Sequence, residues 1–256
     1  MDFGLNLYSL RSQIQTEEGF LDTLTKLKNM GYSFVQHSGR PIDADMAKRV
    51  SEKVGMPIVL THSPLARISD DTKNLVLDHF KFGCKNIGLG FKDYRDMPEE
   101  DVLAFIENLK EYAEKIESEG GKFFYHNHHY EFMKLSDGLT IYDHILLDAP
   151  KVNLIMDTYW LQTGGVNILE YIEKAKGRVE CVHLKDYRVT FNKEKDNVFE
   201  AKYAPIGDGN INFKEVIPAF IKAGTKYLLV EQDDATTYED PFGQVERSIK
   251  YLKENF

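Results

Sequence analysis

Residues 222–231, KAGTKYLLVE, carry the pattern on which the fold turns. A helical stretch ends at Gly224, two residues follow, and a short apolar run then closes on the acid Glu231. Glycine after a last helical turn supplies the left-handed cap, so the apolar run is read as a buried strand. The same punctuation recurs in NMGYSFVQ (29–36), FGCKNIGLG (82–90) and SEGGKFFYH (118–126). Runs that are apolar on both faces suit a parallel sheet covered by helices.

Working outward, strands are predicted at Phe3–Tyr8, Phe34–Gln36, Ile58–Thr61, Asn86–Leu89, Lys122–His126, Asn153–Asp157, Glu180–Leu184 and Tyr227–Glu231. Helical segments alternate with them. In Glu99–Ser118, Val102, Phe105, Ile106, Leu109, Tyr112, Ala113 and Ile116 form one apolar stripe. The others are Glu17–Met30, Ala44–Val54, Thr72–Phe82, Leu139–Leu147, Ile168–Lys176, Phe213–Ala223 and Gln244–Glu254. Strand–helix alternation along the whole chain means a parallel sheet, and eight units ending in a helix fit a closed α/β barrel, the (β/α)₈ TIM barrel. A doubly wound open sheet is the alternative, but the first strand–helix turn carries no GxGxxG. No Pro/Gly/Ser-rich linker divides the chain, so residues 1–256 are read as one domain. The longest irregular stretch, Tyr187–Asn210, is a lid or substrate loop; within it Lys193, Glu194, Lys195 and Asp196 read as a solvated turn.

With 42% hydrophobic and 29% charged residues the chain has material for one sizeable core. Its net charge of −9 argues against nucleic acid as a partner. Cys84 and Cys181 form no CxxC pair and read as small buried residues, not a disulfide. The N-terminal MDFGLNLYSLRS lacks the pattern of a signal peptide, and no apolar run is long enough to span a membrane, so a cytoplasmic protein is expected. Nothing in the sequence indicates a homo-oligomer.

In a barrel, chemistry collects at the carboxyl ends of the strands. There the sequence places Thr61-His62-Ser63, then His126 through Glu131, then Asp157-Thr158-Tyr159-Trp160, then His183-Leu184-Lys185-Asp186, and last Glu231-Gln232-Asp233. IMD, CVH and LLVE each bring one ionisable side chain directly after buried residues. Carboxylates converging on one mouth repel each other, and a divalent cation removes that cost. Taken singly, Asp157 could instead cap a following helix and His183 could be a core histidine. Gly207 and Gly209 around Asp208 read as a tight turn, with phosphate binding by its amides as the alternative. His37, His79 and His144 read as structural or exposed.

In order and spacing, FYHNHHYEF (124–132), LIMDTYW (154–160), VHLKDY (182–187), GDGNINF (207–213) and LLVEQD (228–233) resemble the sugar phosphate isomerase/epimerase family, the xylose isomerase-like TIM barrels. In the first half of the chain the resemblance is architectural, with short polar strand ends at Ser9, His37 and His62. The resemblance implies a divalent metal held by Glu, Asp, His and Glu: Glu131, Asp157, His183 and Glu231. The first position departs from the ketose-epimerase form, which has its acid where this chain has Phe124 or Tyr125; His126 or His128 is the alternative to Glu131. Mn²⁺ is the metal expected, with Mg²⁺, Co²⁺ or Zn²⁺ as alternatives. The activity implied is isomerisation or epimerisation of a sugar, sugar phosphate or polyol through a metal-stabilised enediolate. On the same site a lyase acting on an inosose, keto-sugar or 3-keto-glycoside is the alternative, as is a non-catalytic sugar-binding barrel. Glu131, Glu231 and Lys185 are the catalytic candidates. His62, His126, His128 and Trp160 are the candidates for holding a small carbohydrate; Trp160 could equally pack between barrel and helix.

Overall fold

The computed structural model describes residues 1–192 and 198–256; Lys193, Glu194, Lys195 and Asp196, read above as a surface turn, lie outside the described residues. In chain order the elements are β1 (Phe3–Asn6), α1 (Glu17–Met30), β2 (Phe34–His37), α2 (Ala44–Val54), β3 (Ile58–His62), α3 (Leu65–Asp70), α4 (Thr72–Lys81), β4 (Asn86–Leu89), α5 (Glu99–Ser118) and β5 (Lys122–His126). They continue with α6 (Ile141–Asp148), β6 (Asn153–Asp157), α7 (Thr158–Thr163), α8 (Ile168–Lys174), β7 (Cys181–Leu184), β8 (Asp186–Asn192), β9 (Val198–Ala204), α9 (Phe213–Ala223), β10 (Tyr227–Val230) and α10 (Pro241–Asn255). Gly31, Gly83, Gly120 and Gly224, the first glycine of each of the four quoted stretches, all take the left-handed conformation that turns helix into strand.

Eight parallel strands close a barrel in the order β1-β10-β7-β6-β5-β4-β3-β2. Closure is made by β1 on β10, where Phe3 pairs with Leu228 and Leu5 with Val230, and this excludes the open-sheet alternative. The stretch read as irregular contains an antiparallel hairpin, β8 with β9, that pairs only with itself, from Asp186–Ala204 to Asn192–Val198. Its side chains are largely exposed, Phe199 to 71%, so no core-facing alternation marks it in the sequence.

The barrel core is layered. Phe34, Leu60, Phe124, Ile155, Cys181 and Leu229 form a buried cluster separate from the larger one between strands and helices. Side chains two apart on a strand share a face. Each of these six therefore has a lumen-facing residue one period further on: Gln36, His62, His126, Asp157, His183 and Glu231. Gly4 leaves room for this plug, because a Cβ there would collide with the ring of Phe34. The apolar layer is thus the floor, and the polar layer directly above it is the site.

Candidate metal centre

Four residues of the polar layer converge. His126 ends β5, Asp157 ends β6, His183 lies in β7 and Glu231 follows β10, so they come from four successive strands of the barrel. All four are buried, and their ligand-type atoms lie within 4.8 Å of one another. His183 Nδ1 is 2.8 Å from Glu231 Oε2 and 3.9 Å from Asp157 Oδ2, and His126 Nε2 is 3.5 Å from Asp157 Oδ2.

The other polar atom of each residue is already engaged. Asn6 Nδ2 donates to Glu231 Oε1 at 2.8 Å. Asp157 Oδ1 accepts from the amides of Tyr159 and Trp160 at 2.9 and 3.1 Å, capping α7. His126 Nδ1 lies 3.1 Å from the carbonyl of Gly90, an acceptor only, so this nitrogen carries the proton. His183 Nε2 lies 2.7 Å from Gln36 Oε1, whose amide nitrogen is turned to Ser38 Oγ at 3.0 Å, and so it too carries the proton. Bare lone pairs are left on His126 Nε2, His183 Nδ1, Asp157 Oδ2 and Glu231 Oε2. These four atoms are buried without a hydrogen-bond partner among the described residues. Buried lone pairs facing one another are unfavourable unless a cation stands among them. With each ligand oriented from behind by a fixed partner, the residues fit a divalent metal ion.

Lys185 joins this group. Its Nζ lies 2.9 Å from Asp157 Oδ2, 3.1 Å from Glu231 Oε2 and 3.1 Å from Asp233 Oδ1. Its backbone is pinned by Thr158, whose hydroxyl donates to the Lys185 carbonyl at 2.7 Å and accepts from its amide at 2.9 Å. Burial works against the ammonium, but the three carboxylates outweigh it and hold its pKa well above the ordinary value. Burial likewise pushes Asp157 and Glu231 up. For both, the Lys185 ammonium is the largest opposing influence, and the pKa is held below the ordinary carboxylate value. Asp233 is raised, by burial first and then by Glu231 and Asp157.

Glu131, expected as the first ligand, stands elsewhere, and His126 occupies that place. Glu131 lies beyond β5 in the 3₁₀ turn Tyr130–Phe132. Its carboxylate accepts from Tyr125 Oη at 2.6 Å and from the His128 amide at 2.8 Å. Alternation turns Tyr125 away from the lumen, and its hydroxyl meets that of Tyr94 at 2.8 Å. Glu131 is therefore wholly buried behind the barrel wall, where burial pushes its pKa up to about 7. It belongs neither to the four-residue group nor to the lining of the cleft above it.

That cleft has a volume of about 650 Å³ and is lined by His62, His126, His128, Trp160, Lys185 and Glu231, among others. Each carbohydrate-binding candidate is thus at its wall. Among the described residues His62 Nε2, His128 Nδ1 and Trp160 Nε1 have no hydrogen-bond partner. Burial, with neighbouring His126, keeps the His62 and His128 imidazoles neutral, His128 with a pKa of about 2. Trp160 stands 5.2 Å from the His128 ring.

Sequence reasoning missed Asn6 and Gln36, and placed Asp233 at a strand end without a role. Of the first-half strand ends Ser9, His37 and His62, His62 lines the cleft, whereas Ser9 Oγ accepts from the Gln232 amide and His37 meets the ring of Phe20. The signal was the phase: Gln36 stands two residues after Phe34, as His183 does after Cys181. Gly207 and Gly209 do form a turn. Their amides, with those of Ile211 and Tyr187, donate to the buried Asp186 carboxylate, so they are not free for a phosphate. Asp186 is thereby the keeper of this loop, and Lys185 pairs with other acids. His79 bonds Thr61 Oγ1 and His144 lies between Asp137 and Asp148, both structural. Both cysteines are buried and unpaired.

A closed parallel barrel with a four-residue, metal-fitting group at its carboxyl end defines a class, and the sequence comparisons agree with it. Residues 24–255 match the family described as xylose isomerase-like TIM barrel, and the chain belongs to that family. It is 28% identical over 170 residues to an inosose dehydratase of Clostridium beijerinckii, a match covering 61% of this chain and 55% of that one. The chain thus spans about half the length of the curated relatives it matches. A solved sugar phosphate isomerase/epimerase from Parabacteroides distasonis superposes with a TM-score of 0.81 at 24% identity, covering 99% of this chain and 98% of that one. A xylose isomerase-like barrel from Mycobacterium smegmatis, solved in complex with magnesium, gives 0.72 at 13% identity, with 99% and 95% covered. Among the described residues no helix is long and apolar enough to cross a membrane.

Proposed function

We propose that the protein is a metal-dependent enzyme that moves a proton next to a carbonyl in a sugar or polyol, as an isomerase or epimerase. The observation that carries this reading is the convergence of four buried, unpartnered lone-pair atoms on His126, Asp157, His183 and Glu231 beneath a cleft of about 650 Å³. The cleft volume lies within the usual range for a small-molecule site. When bound, a divalent cation there would polarise the carbonyl and adjacent hydroxyl of a substrate. Two imidazoles and two carboxylates suit Mn²⁺, Co²⁺ or Zn²⁺ better than Mg²⁺, and Mn²⁺ is our assignment. Lys185 and Asp233 supply the proton-carrying pair at the wall of the cleft. His62, His128 and Trp160 offer the unpartnered polar atoms that hydroxyl groups would satisfy, and the Trp160 ring is the face on which a sugar would stack.

A second reading, loss of a β-hydroxyl after the same proton removal, is favoured by the inosose dehydratases among the relatives. The test is metal content and Mn²⁺ binding of wild type against Asp157→Asn, followed by incubation with keto-sugars and inososes in D₂O. Deuterium at the carbon beside the carbonyl, without loss of water, supports the first reading, and an unsaturated product supports the second. Unchanged metal binding by Asp157→Asn and Glu231→Gln would remove the basis of both.

A further inference from the structure

One charged group at the cleft floor stands outside the proposed ligand set, the ammonium of Lys185. Its side chain is only 2% exposed. The stem starts from a backbone tied on both sides to Thr158 Oγ1, and Nζ stands 5.3 Å from the Trp160 ring centre and 6.0 Å from that of Tyr203. The aromatic rings and the backbone anchors together keep the head where it is. There it approaches Asp157 Oδ2 and Glu231 Oε2, the two oxygens that also face His183 Nδ1. Its remaining contacts are with both oxygens of Asp233, at 3.1 and 3.3 Å. The approach to Asp157 Oδ2 and Glu231 Oε2 lacks hydrogen-bond alignment, so the lysine neutralises these oxygens without saturating them.

The charges sum in a telling way. Three carboxylates and one ammonium leave a net charge of −2. A divalent cation brings that cluster to zero. We propose that Lys185 is a resident counter-cation. It holds Asp157, Glu231 and Asp233 together when no metal is bound, and it opposes the metal once the metal enters. The price of an acid cluster that stays folded without its ion is a weaker grip on that ion. This inference rests on the metal-binding reading above. It adds that the grip is set by a lysine that is not a ligand.

The two halves of the proposal pull in opposite directions when the charge is removed, which separates it from a packing role. Chelator-stripped wild type, Lys185→Met, Lys185→Arg and Asp157→Asn would be compared by thermal unfolding and by calorimetric titration with Mn²⁺. Lys185→Met is expected to melt below wild type without metal, yet to bind Mn²⁺ on the order of tenfold to a hundredfold more tightly, since a positive charge close to the ion has gone. Lys185→Arg, which keeps the charge, stays near wild type in affinity. If Lys185→Met melts lower but binds Mn²⁺ no more tightly, the lysine is only a structural brace and the proposal fails. Should Lys185→Met not be recovered folded, Lys185→Gln carries the same expectation and the same refutation. Asp157→Asn keeps the two readings apart. Binding by wild type that Asp157→Asn abolishes upholds the metal site whatever Lys185→Met does. Binding by Lys185→Met alone is the antagonism at its strongest, and binding by none of the variants overturns both readings.

Discussion

Replacing Gln36 by leucine tests how the centre is assembled, because Gln36 touches no part of the cleft and acts only through His183. In the native protein Gln36 Oε1 holds the proton on His183 Nε2 at 2.7 Å, leaving Nδ1 bare and 2.8 Å from Glu231 Oε2. Leucine removes the acceptor. In the metal-free variant the proton moves to Nδ1, where the Glu231 carboxylate is in place to receive it, so the folded state loses little. Metal binding then requires the proton back on Nε2, now buried with no acceptor. An unpaired buried N–H costs about 1–3 kcal/mol, and loss of such an orienting partner typically weakens metal binding about 10- to 100-fold, or roughly 1.4–2.8 kcal/mol. Mn²⁺ titration of stripped Gln36→Leu should therefore show that loss with only a small change in melting temperature. Nitrogen NMR of labelled histidines should show the His183 proton on Nε2 in wild type and on Nδ1 in the variant. An affinity within about threefold of wild type, or a wild-type proton found on Nδ1, refutes the reasoning.

Three further outcomes follow from geometry. Glu131 has its folded pKa raised from 4.5 to about 7 by burial, so the native state binds its proton more tightly than the unfolded chain. Its ionisation thus costs nothing below about pH 4.5, and the penalty grows to about 3 kcal/mol above pH 7. Glu131→Gln, which can still accept from the His128 amide, should gain stability over wild type as pH rises from 5 to 8 in urea unfolding; a gap that stays constant across that window contradicts the shift. Asp186→Ala strips the acceptor from four backbone amides and should cost about 2–3 kcal/mol in the same assay, while leaving Mn²⁺ affinity nearly unchanged. Phe124→Ala opens the floor directly beneath His126 and should cost about 3–5 kcal/mol; a smaller loss would mean the barrel interior is not the packed plug described.

Much of the barrel was legible because its signals are local. The helix Glu99–Ser118 and the strands Asn86–Leu89, Lys122–His126 and Asn153–Asp157 fall where periodicity and capping put them. Asp157, His183 and Glu231 stood out because each is an ionisable residue after an apolar run. The next member was harder. Residues 126–131 hold three histidines and a glutamate, and choosing among them depends on where β5 stops. It stops at His126, in phase with Phe124; beyond that point the chain enters a 3₁₀ turn and strand alternation no longer says which way Glu131 faces. Asn6 and Gln36 escaped because neutral amides look unremarkable at a strand end, and their role exists only through contacts with β10 and β7. The β8–β9 hairpin escaped because only its base, at Asp186 and Ala204, is buried, and no alternation runs along its length.

Asp157 does two things with one carboxylate. Oδ1 caps α7 through the amides of Tyr159 and Trp160, and Oδ2 faces the proposed ion. The carboxyl plane is rigid, so any rotation that suits one oxygen displaces the other. On the proposed function, an ion drawing on Oδ2 would therefore set the pitch of the first turn of α7 and, with it, the indole at the cleft wall. A ring seated on Trp160 would in turn steady the carboxylate for the ion. Such coupling is necessarily reciprocal: whatever factor the metal adds to sugar affinity, the sugar returns to the metal. If the proposed function holds, the centre and the aromatic wall would behave as a single cooperative unit joined at one side chain.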